Sequence, residues 1–372
     1  MRTILYLIRK EFLQIFRNKF ISKAIFAVPI LQMLILVPAV TFEIKNVKLC
    51  IIDNDLTPES RGLISKLEGS TFFKVKFSTF SESEANKLMH KNKFDVILHI
   101  PAKFGENLGN GRPAKLMASV DAINASAAQI AWAYMSGVIR DYNLNIITEN
   151  INTVPVTPLP QIMITNRFWY NEMLNYKHYM LPGILTLLVT VIGFLLAGLN
   201  MVREKEVGTI EQLNVTPVRK HQLIIAKMVP FIIIGLIDLS LGLILGRLVF
   251  NIPFVGSVLL LFVCAFIFLI ALLGLALFIS TFSGTQQQFM FIAFFWMIIF
   301  MLMSGLFTPY ESMPDWAQII NRVNPVAYLM KINRMVMLKG SSMHDISREI
   351  ISLIVIAVCS TSMAVRRYRK TT

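Results

Sequence analysis

Three groups of residues have the types and spacing to do chemistry. The first is a polar island, Arg203-Glu204-Lys205-Glu206-Val207-Gly208-Thr209-Ile210-Glu211-Gln212-Leu213-Asn214-Val215-Thr216-Pro217, set between long apolar runs at 179–202 and 228–246. Glu204, Glu206 and Glu211 can pair with Lys or Arg of a partner in water, Gly208 permits close approach, and Pro217 stops the element. A solvated connecting loop, whose charges only fix topology, is the plainer reading of the same residues. The second is Asp238, in mid-run, where an ionised side chain costs at least about 2.5–3.5 kcal/mol. It has to face the bundle interior or a wet cavity, or carry a proton. A substrate contact and a proton-linked switch are open to it; a helix–helix hydrogen bond, with Ser240 or another span, is the blander and favoured reading. The third group is the candidate pathway lining: Gln32, Asp238, Gln286 and Trp296, the last within an aromatic stretch of Phe289, Phe291, Phe294 and Phe295. Gln286, Gln287 and Gln288 also suit the end of a span, and the aromatics suit lipid or core packing.

Other chemistries lack their residues. No Gly-x-x-x-x-Gly-Lys-Ser/Thr loop occurs, so ATP is not bound in the P-loop manner. The five histidines, at 90, 99, 178, 221 and 344, show no metal-ligand spacing, and no Gly-x-Ser-x-Gly elbow is present. Neither catalytic residues nor metal ligands are expected. Cys264 and Cys359 fall in apolar runs and Cys50 stands alone, so there is no disulfide framework.

The frame for these residues follows from composition. Charged residues are 16% of the 372, against about 25% in soluble domains, which excludes an ordinary soluble protein. Crossing hydrocarbon takes about 20 apolar residues. Such runs lie at 24–42, 179–202, around 228–246, twice within 248–310 about a polar break at 280–288, and, shortest, at 350–365. The expected fold is a mostly α membrane protein, six transmembrane helices with an inserted extracytoplasmic α/β domain. Residues 1–20 make an amphipathic interfacial helix, with Ile4, Leu5, Ile8, Phe12, Ile15 and Phe16 on one stripe, and 21–42 the first span. Its long basic, helical preface favours a retained anchor over a cleaved signal peptide. Residues 43–177 make the α/β domain, and 178–372 the other five spans, with a cytoplasmic loop at 203–222 and an outer re-entrant region at 304–340.

Charge sets the orientation. The first 23 residues, the island with its flank to Lys227, and the tail from Arg366 carry fifteen Lys and Arg against four Glu, so this face holds +11 of the net +14. The basic face is cytoplasmic, and six spans return both termini to it. No nucleic-acid motif accompanies the charge, so no nucleic-acid partner is expected. Within 43–177, apolar runs at 47–52, 72–77, 94–100 and 115–121 read as strands. Thr57-Pro58 and Ser81-x-x-Glu84 open helices, and 125–148 is a long helix whose Trp132, Tyr134 and Tyr142 are expected to pack. The domain either gates, binds or docks, or is a stabilising cap.

The island resembles the cytoplasmic signature of ABC-2 type exporter permeases, Arg-Glu-x-Glu-x-Gly-Thr-x-Glu-x-Leu-x-x-Thr-Pro. Asn324-Pro325-Val326-Ala327-Tyr328, followed by Arg334 and Lys339-Gly340, resembles the pattern before the last span of these permeases. In the bacterial multidrug branch the order of elements is also similar throughout. The resemblance implies a coupling role for Arg203, Glu204, Glu206, Gly208, Thr209, Glu211, Thr216 and Pro217, and short re-entrant helices around Pro309, Asn324, Pro325, Tyr328 and Arg334. It also implies a separate P-loop ATPase subunit that carries ATP and Mg, none being bound by this chain. A second permease chain, self or paralogue, completes the transporter, in the bilayer of the bacterial inner membrane. A periplasmic adaptor is left open. The implied activity is ATP-driven export of an amphipathic or drug-like substrate, by a chain that is not itself an enzyme. A proton-driven secondary transporter using Asp238 is one rival; it would favour internal repeats, and none is visible. A non-transporting scaffold or receptor is the other.

Overall fold

The computed structural model describes residues 2–39, 47–91, 93–121, 125–151, 176–209, 212, 216, 218–252, 254–308 and 310–368. It divides into two compact units, Phe42–Asn166 and the pair of segments Met1–Thr41 and Arg167–Thr372.

In the first unit, β1 (Val47–Asp53), β2 (Phe73–Thr79), β3 (Val96–Ile100) and β4 (Met117–Val120) form one sheet in the order β2-β1-β3-β4. β1 pairs in parallel with β2 and β3, while β4 runs antiparallel to β3. Parallel pairing requires crossovers, supplied by α1 (Pro58–Glu68) and α2 (Glu82–Met89). Their starts follow the capping residues: the Thr57 hydroxyl accepts from the Ser60 amide, and Ser81 accepts from Glu84. Both faces of β1 are covered, which is why it is almost wholly apolar. Val47, Leu49 and Ile51 pack with Leu63, Leu67, Ala131 and Met135, and Cys50 and Ile52 pack with Ala85 and Phe94. α3 (Phe104–Gly109) and α4 (Ala125–Ile151) complete the unit. On α4, Tyr134 stacks on Phe72 at 3.9 Å and the Tyr142 hydroxyl donates to the Glu59 carbonyl at 2.8 Å. Trp132, two residues from Tyr134 and so on the opposite side of the helix, is exposed rather than packed.

Asp55 ties β1 to α3. Its carboxylate accepts from the amides of Phe104 and Gly105 at 2.9 and 2.8 Å, and from the Thr57 hydroxyl. Burial alone would raise this carboxyl, but the Thr57 hydroxyl and the backbone amides hold it below its ordinary value. A lowered carboxyl stabilises the fold above the unfolded value and loses that contribution as pH falls through the folded one. Asp55→Asn is therefore expected to lower thermal stability at neutral pH, with the gap to wild type closing below about pH 4. Melting curves of the full chain at both pH values check this.

The second unit is helical: α5 (Arg2–Arg17), α6 (Lys19–Ala39), α7 (Tyr176–Glu206), α8 (Lys220–Leu248), α9 (Val258–Ser280), α10 (Gln286–Leu302), α11 (Asp315–Asn321), α12 (Pro325–Lys339) and α13 (Ser347–Arg367). Against six expected spans, four helices among the described residues, α7, α8, α9 and α13, are long and apolar enough to cross a membrane. The apolar parts of α6 and α10, Ile25–Ala39 and Gln286–Leu302, are shorter. Gln286–Leu302 has 17 residues, which rise about 25 Å against hydrocarbon of about 30 Å. The chain turns there through Gly305, at φ +87°.

α7 is the axis of this unit and packs on α6, α8, α9, α10 and α12. Gly235, Gly242 and Gly246 of α8 bring the backbones close. A Cβ on Gly242 would collide with Leu185 of α7, one on Gly246 would sit 3.1 Å from Leu181, and one on Gly235 2.8 Å from Leu269 of α9. The small-residue pair at 242 and 246, which also suits a dimer seam, is thus used within the chain. Gly242→Val is expected to cost about 1–3 kcal/mol by overpacking, read as a lower melting temperature of the detergent-solubilised protein.

Candidate functional site

The polar island begins as helix, not loop. Arg203, Glu204, Lys205 and Glu206 are good helix formers and make the last turn of α7, which Gly208 ends at φ +79°. Of the expected loop at 203–222, α7 therefore takes in Arg203–Glu206, and α8 opens at Lys220. Four successive residues on one turn point four ways. Arg203 and Glu206 are exposed. The Lys205 ammonium donates to the carbonyls of Ser280, at 2.7 Å, and Ser283, at 3.4 Å. The Gln286 amide group donates to Glu206 at 2.7 Å, so α7 is latched to the turn between α9 and α10.

Glu204 points inward. Only 2% of it is exposed, and it lies among charges from two other helices. Lys227 Nζ of α8 stands 2.7 Å from Glu204 Oε2, an ion pair without hydrogen-bond alignment, and 3.3 Å from Glu11 Oε1 of α5. Lys10 of α5 reaches both Glu11, at 2.9 Å, and Glu204. Asn200, one turn earlier on α7, accepts from Lys227 at 3.0 Å. Two carboxylates and two ammonium groups balance in a site where Lys227 and Glu11 are also buried. Burial would lower Lys10, but the Glu11 and Glu204 carboxylates outweigh it and hold the ammonium above its ordinary value. Tyr368, just beyond α13, lies close enough that burial and the Glu204 charge push its phenol up to about 12. Glu204 is thus not available to a partner in water, contrary to its expected place among the docking carboxylates. The remainder of the island is plainer. The Thr209 hydroxyl donates to the Glu204 carbonyl at 3.3 Å, Thr216 is half-buried, and Glu211 and Pro217 lie outside the described residues.

At the second motif the chemistry is capping. Asn324 precedes α12, with Pro325 in its first turn. The Asn324 side chain accepts from the Val326 amide at 3.0 Å and donates to the Phe300 carbonyl of α10 at 2.9 Å. The Tyr328 hydroxyl donates to the Arg322 carbonyl at 3.0 Å. Arg334 donates to the Gly305 carbonyl at 2.8 Å and lies over the Tyr179 ring at 4.0 Å. Pro309 lies outside the described residues.

The family model described as "ABC-2 family transporter protein" matches residues 20–366. The chain belongs to that family. It is 29% identical over 365 residues to the probable multidrug ABC transporter permease YbhR of Escherichia coli (strain K12), covering 98% of this chain and 97% of the relative. It is 24% identical to the probable multidrug ABC transporter permease YbhS of the same strain, over 89% of this chain and 87% of that one. The inner membrane transport permease YhhJ, also from that strain, is 23% identical over 87% and 85%.

In this ABC-2 family chain the four pathway candidates do not gather. Gln32 is half-buried on α6, Gln286 is spent on Glu206, and Trp296 packs on Phe295 and Phe300 at the outside of α10. Phe291, Phe294 and Phe295 are exposed there too, while Phe289 is buried against Gly198 of α7. Asp238 is fully buried on the same helical stripe as Gly235 and Gly242, and neither carboxylate oxygen has a hydrogen-bond partner among the described residues. The Ser240 hydroxyl donates to the Leu236 carbonyl instead, at 2.8 Å, so the favoured helix–helix hydrogen bond with it is not made. The ion cluster itself escaped the sequence reading. Its trace is there, since Glu11 falls one turn from Ile15 and Lys227 interrupts the approach to an apolar run. Removing one member strands the others, so Lys227→Met is expected to cost about 3–5 kcal/mol. Lys227→Met with Glu204→Gln should recover part of that, as melting of single and double variants would show.

Proposed function

We propose that this chain is the membrane-spanning permease subunit of an ATP-driven ABC-2 exporter, moving an amphipathic or drug-like substrate from the cytoplasm or inner leaflet. The observation that carries the reading is the last turn of α7, which presents Glu206 and Val207 to water while Glu204 and Lys205 fasten it to α5, α8 and the α9–α10 turn. A surface pushed by a partner has to be stiffly joined to what it moves, and this one is joined by buried charge. ATP would be bound and hydrolysed on a separate P-loop subunit. Membership of the family and the names of the Escherichia coli relatives, two of them probable multidrug permeases, support this assignment. In the same reading α6 and α10 serve as the two short crossings. The basic ends and the signature segment face the cytoplasm of a bacterial inner membrane, and the α/β unit lies outside. A second copy or a paralogue supplies the other half.

One observation favours a second reading. Asp238, buried and without a hydrogen-bond partner among the described residues, is where a gradient-driven transporter would take up a proton.

Affinity capture of the tagged full chain from native membranes separates the two. A P-loop ATPase is expected with wild type, and its recovery should fall at least about tenfold with Glu206→Lys and Glu211→Lys, since like charges facing each other across an interface cost several kcal/mol. An intact permease complex repeatedly free of any ATPase would overturn the lead reading and turn attention to Asp238.

A further inference from the structure

A cleft of about 540 Å³ opens between α5 and the end of α7, lined by Lys10, Leu13, Gln14, Arg17, Asn18 and Arg203. Three of its six lining residues are cationic and none is acidic. Lys10, Gln14 and Arg17 recur at helical spacing along one side of α5, and Arg203 faces them from the exposed side of the turn whose other residues hold α7 in place. Lys10 already balances Glu11 and Glu204, whereas Arg17 and Arg203 are exposed guanidinium groups, whose forked donors match a phosphate group.

The surroundings say which phosphate. Leu5, Tyr6, Leu13 and Phe16 of α5 are all exposed, and at 100° per residue they fall on a single arc, which the exposed Arg2 and Arg9 share and which Lys10 and Arg17 edge. Leu13 belongs both to that arc and to the cleft wall. A helix exposing apolar side chains with cations among and beside them lies in the membrane interface, and, on the orientation proposed above, basic pockets on the cytoplasmic side of membrane helices hold acidic headgroups. A free anion would leave Leu13 bare, whereas a lipid offers a phosphate to the cations and acyl chains to Leu13 at once.

We propose that this cleft is a binding site for an acidic phospholipid, its phosphate held by Arg17 and Arg203 with Lys10 behind them and its acyl chains running along Leu13. The bound lipid bridges the interfacial helix and the last turn of α7, so the lipid composition of the leaflet bears on the element that carries Glu206.

Native mass spectrometry of the full chain in detergent tests this, with phosphatidylglycerol, phosphatidylcholine or inorganic phosphate added in turn. Phosphatidylglycerol is expected to be retained and the other two not. Arg17→Gln with Arg203→Gln should weaken retention roughly thirtyfold, about fivefold per cation near a membrane surface. Arg17→Lys with Arg203→Lys keeps the charge and should keep the lipid, which separates loss of the site from loss of the fold. Arg2→Gln with Arg9→Gln removes the same charge from α5 outside the cleft and should also keep it. Equal retention of phosphatidylcholine, or tight binding of phosphate alone, would overturn the proposal. So would undiminished retention by the glutamine pair at Arg17 and Arg203, or an equal loss in either of the other two variants.

Discussion

The helical unit depends on one constraint, that charge taken out of water has to be matched. Glu11, Glu204 and Lys227 are buried together and Lys10 closes the set. No two of these residues on different helices are near in sequence, so the cluster forms only when α5, α7 and α8 are all in register. An apolar interface can slip without leaving a charge unmatched, losing only its fit. A balanced set of four charges cannot, because any slip leaves a charge buried alone. The depth at which α5 lies and the height at which α7 and α8 meet are therefore fixed by the same contact.

Elsewhere the bundle is held by fit and by satisfied backbone. The Gly235, Gly242 and Gly246 stripe sets the spacing of α8 from α7 and α9. Asn333 of α12 donates to the Thr186 hydroxyl of α7 at 2.9 Å, and the Ser360 hydroxyl of α13 to the Ala271 carbonyl of α9 at 2.9 Å. Asn324 both opens α12 and satisfies the carbonyl of Phe300 near the end of α10, where helix termini leave acceptors without partners. Asp238 stands apart. It lies on the stripe of Gly235 and Gly242, yet its carboxylate is the one side chain in the middle of a span with both oxygens unpartnered among the described residues. Leaving such a group unsatisfied is costly, and no hydrogen bond to another helix offsets that cost among the described residues.

Legibility in the sequence divided along local and non-local lines. The α/β unit was readable because its signals are short-range: capping at Thr57 and Ser81, Pro58 in a first turn, and apolar runs that became β1 to β4 within a few residues. The long apolar helices were readable from composition. What failed needed partners. Glu204 reads as a solvent carboxylate because nothing near it in sequence announces Lys227 or Lys10; Gln286 does open α10, as a span end would, but its bond to Glu206 was not readable. The stripe expected on the interfacial helix divides in the structure, since Ile15 is buried beside Glu11 while Leu5 and Phe16 stay exposed. A helical wheel shows an apolar side but not which part of it meets protein.

These ties make the end of α7 more than a place where a helix stops. Its last turn is bonded in three directions: through Glu204 to α5 and α8, through Lys205 to the carbonyls that close α9, and through Glu206 to the first residue of α10. Each tie is polar and directional, so a displacement of the turn has either to break it or to carry its partner along. Breaking the exposed Glu206–Gln286 bond costs little because water replaces it. Breaking the buried cluster costs several kcal/mol. A force applied at Val207 or Glu206 is accordingly expected to break the Glu206–Gln286 tie first and to move α5, α7 and α8 as one body, α10 staying joined to α7 through the packing of Phe289 on Gly198.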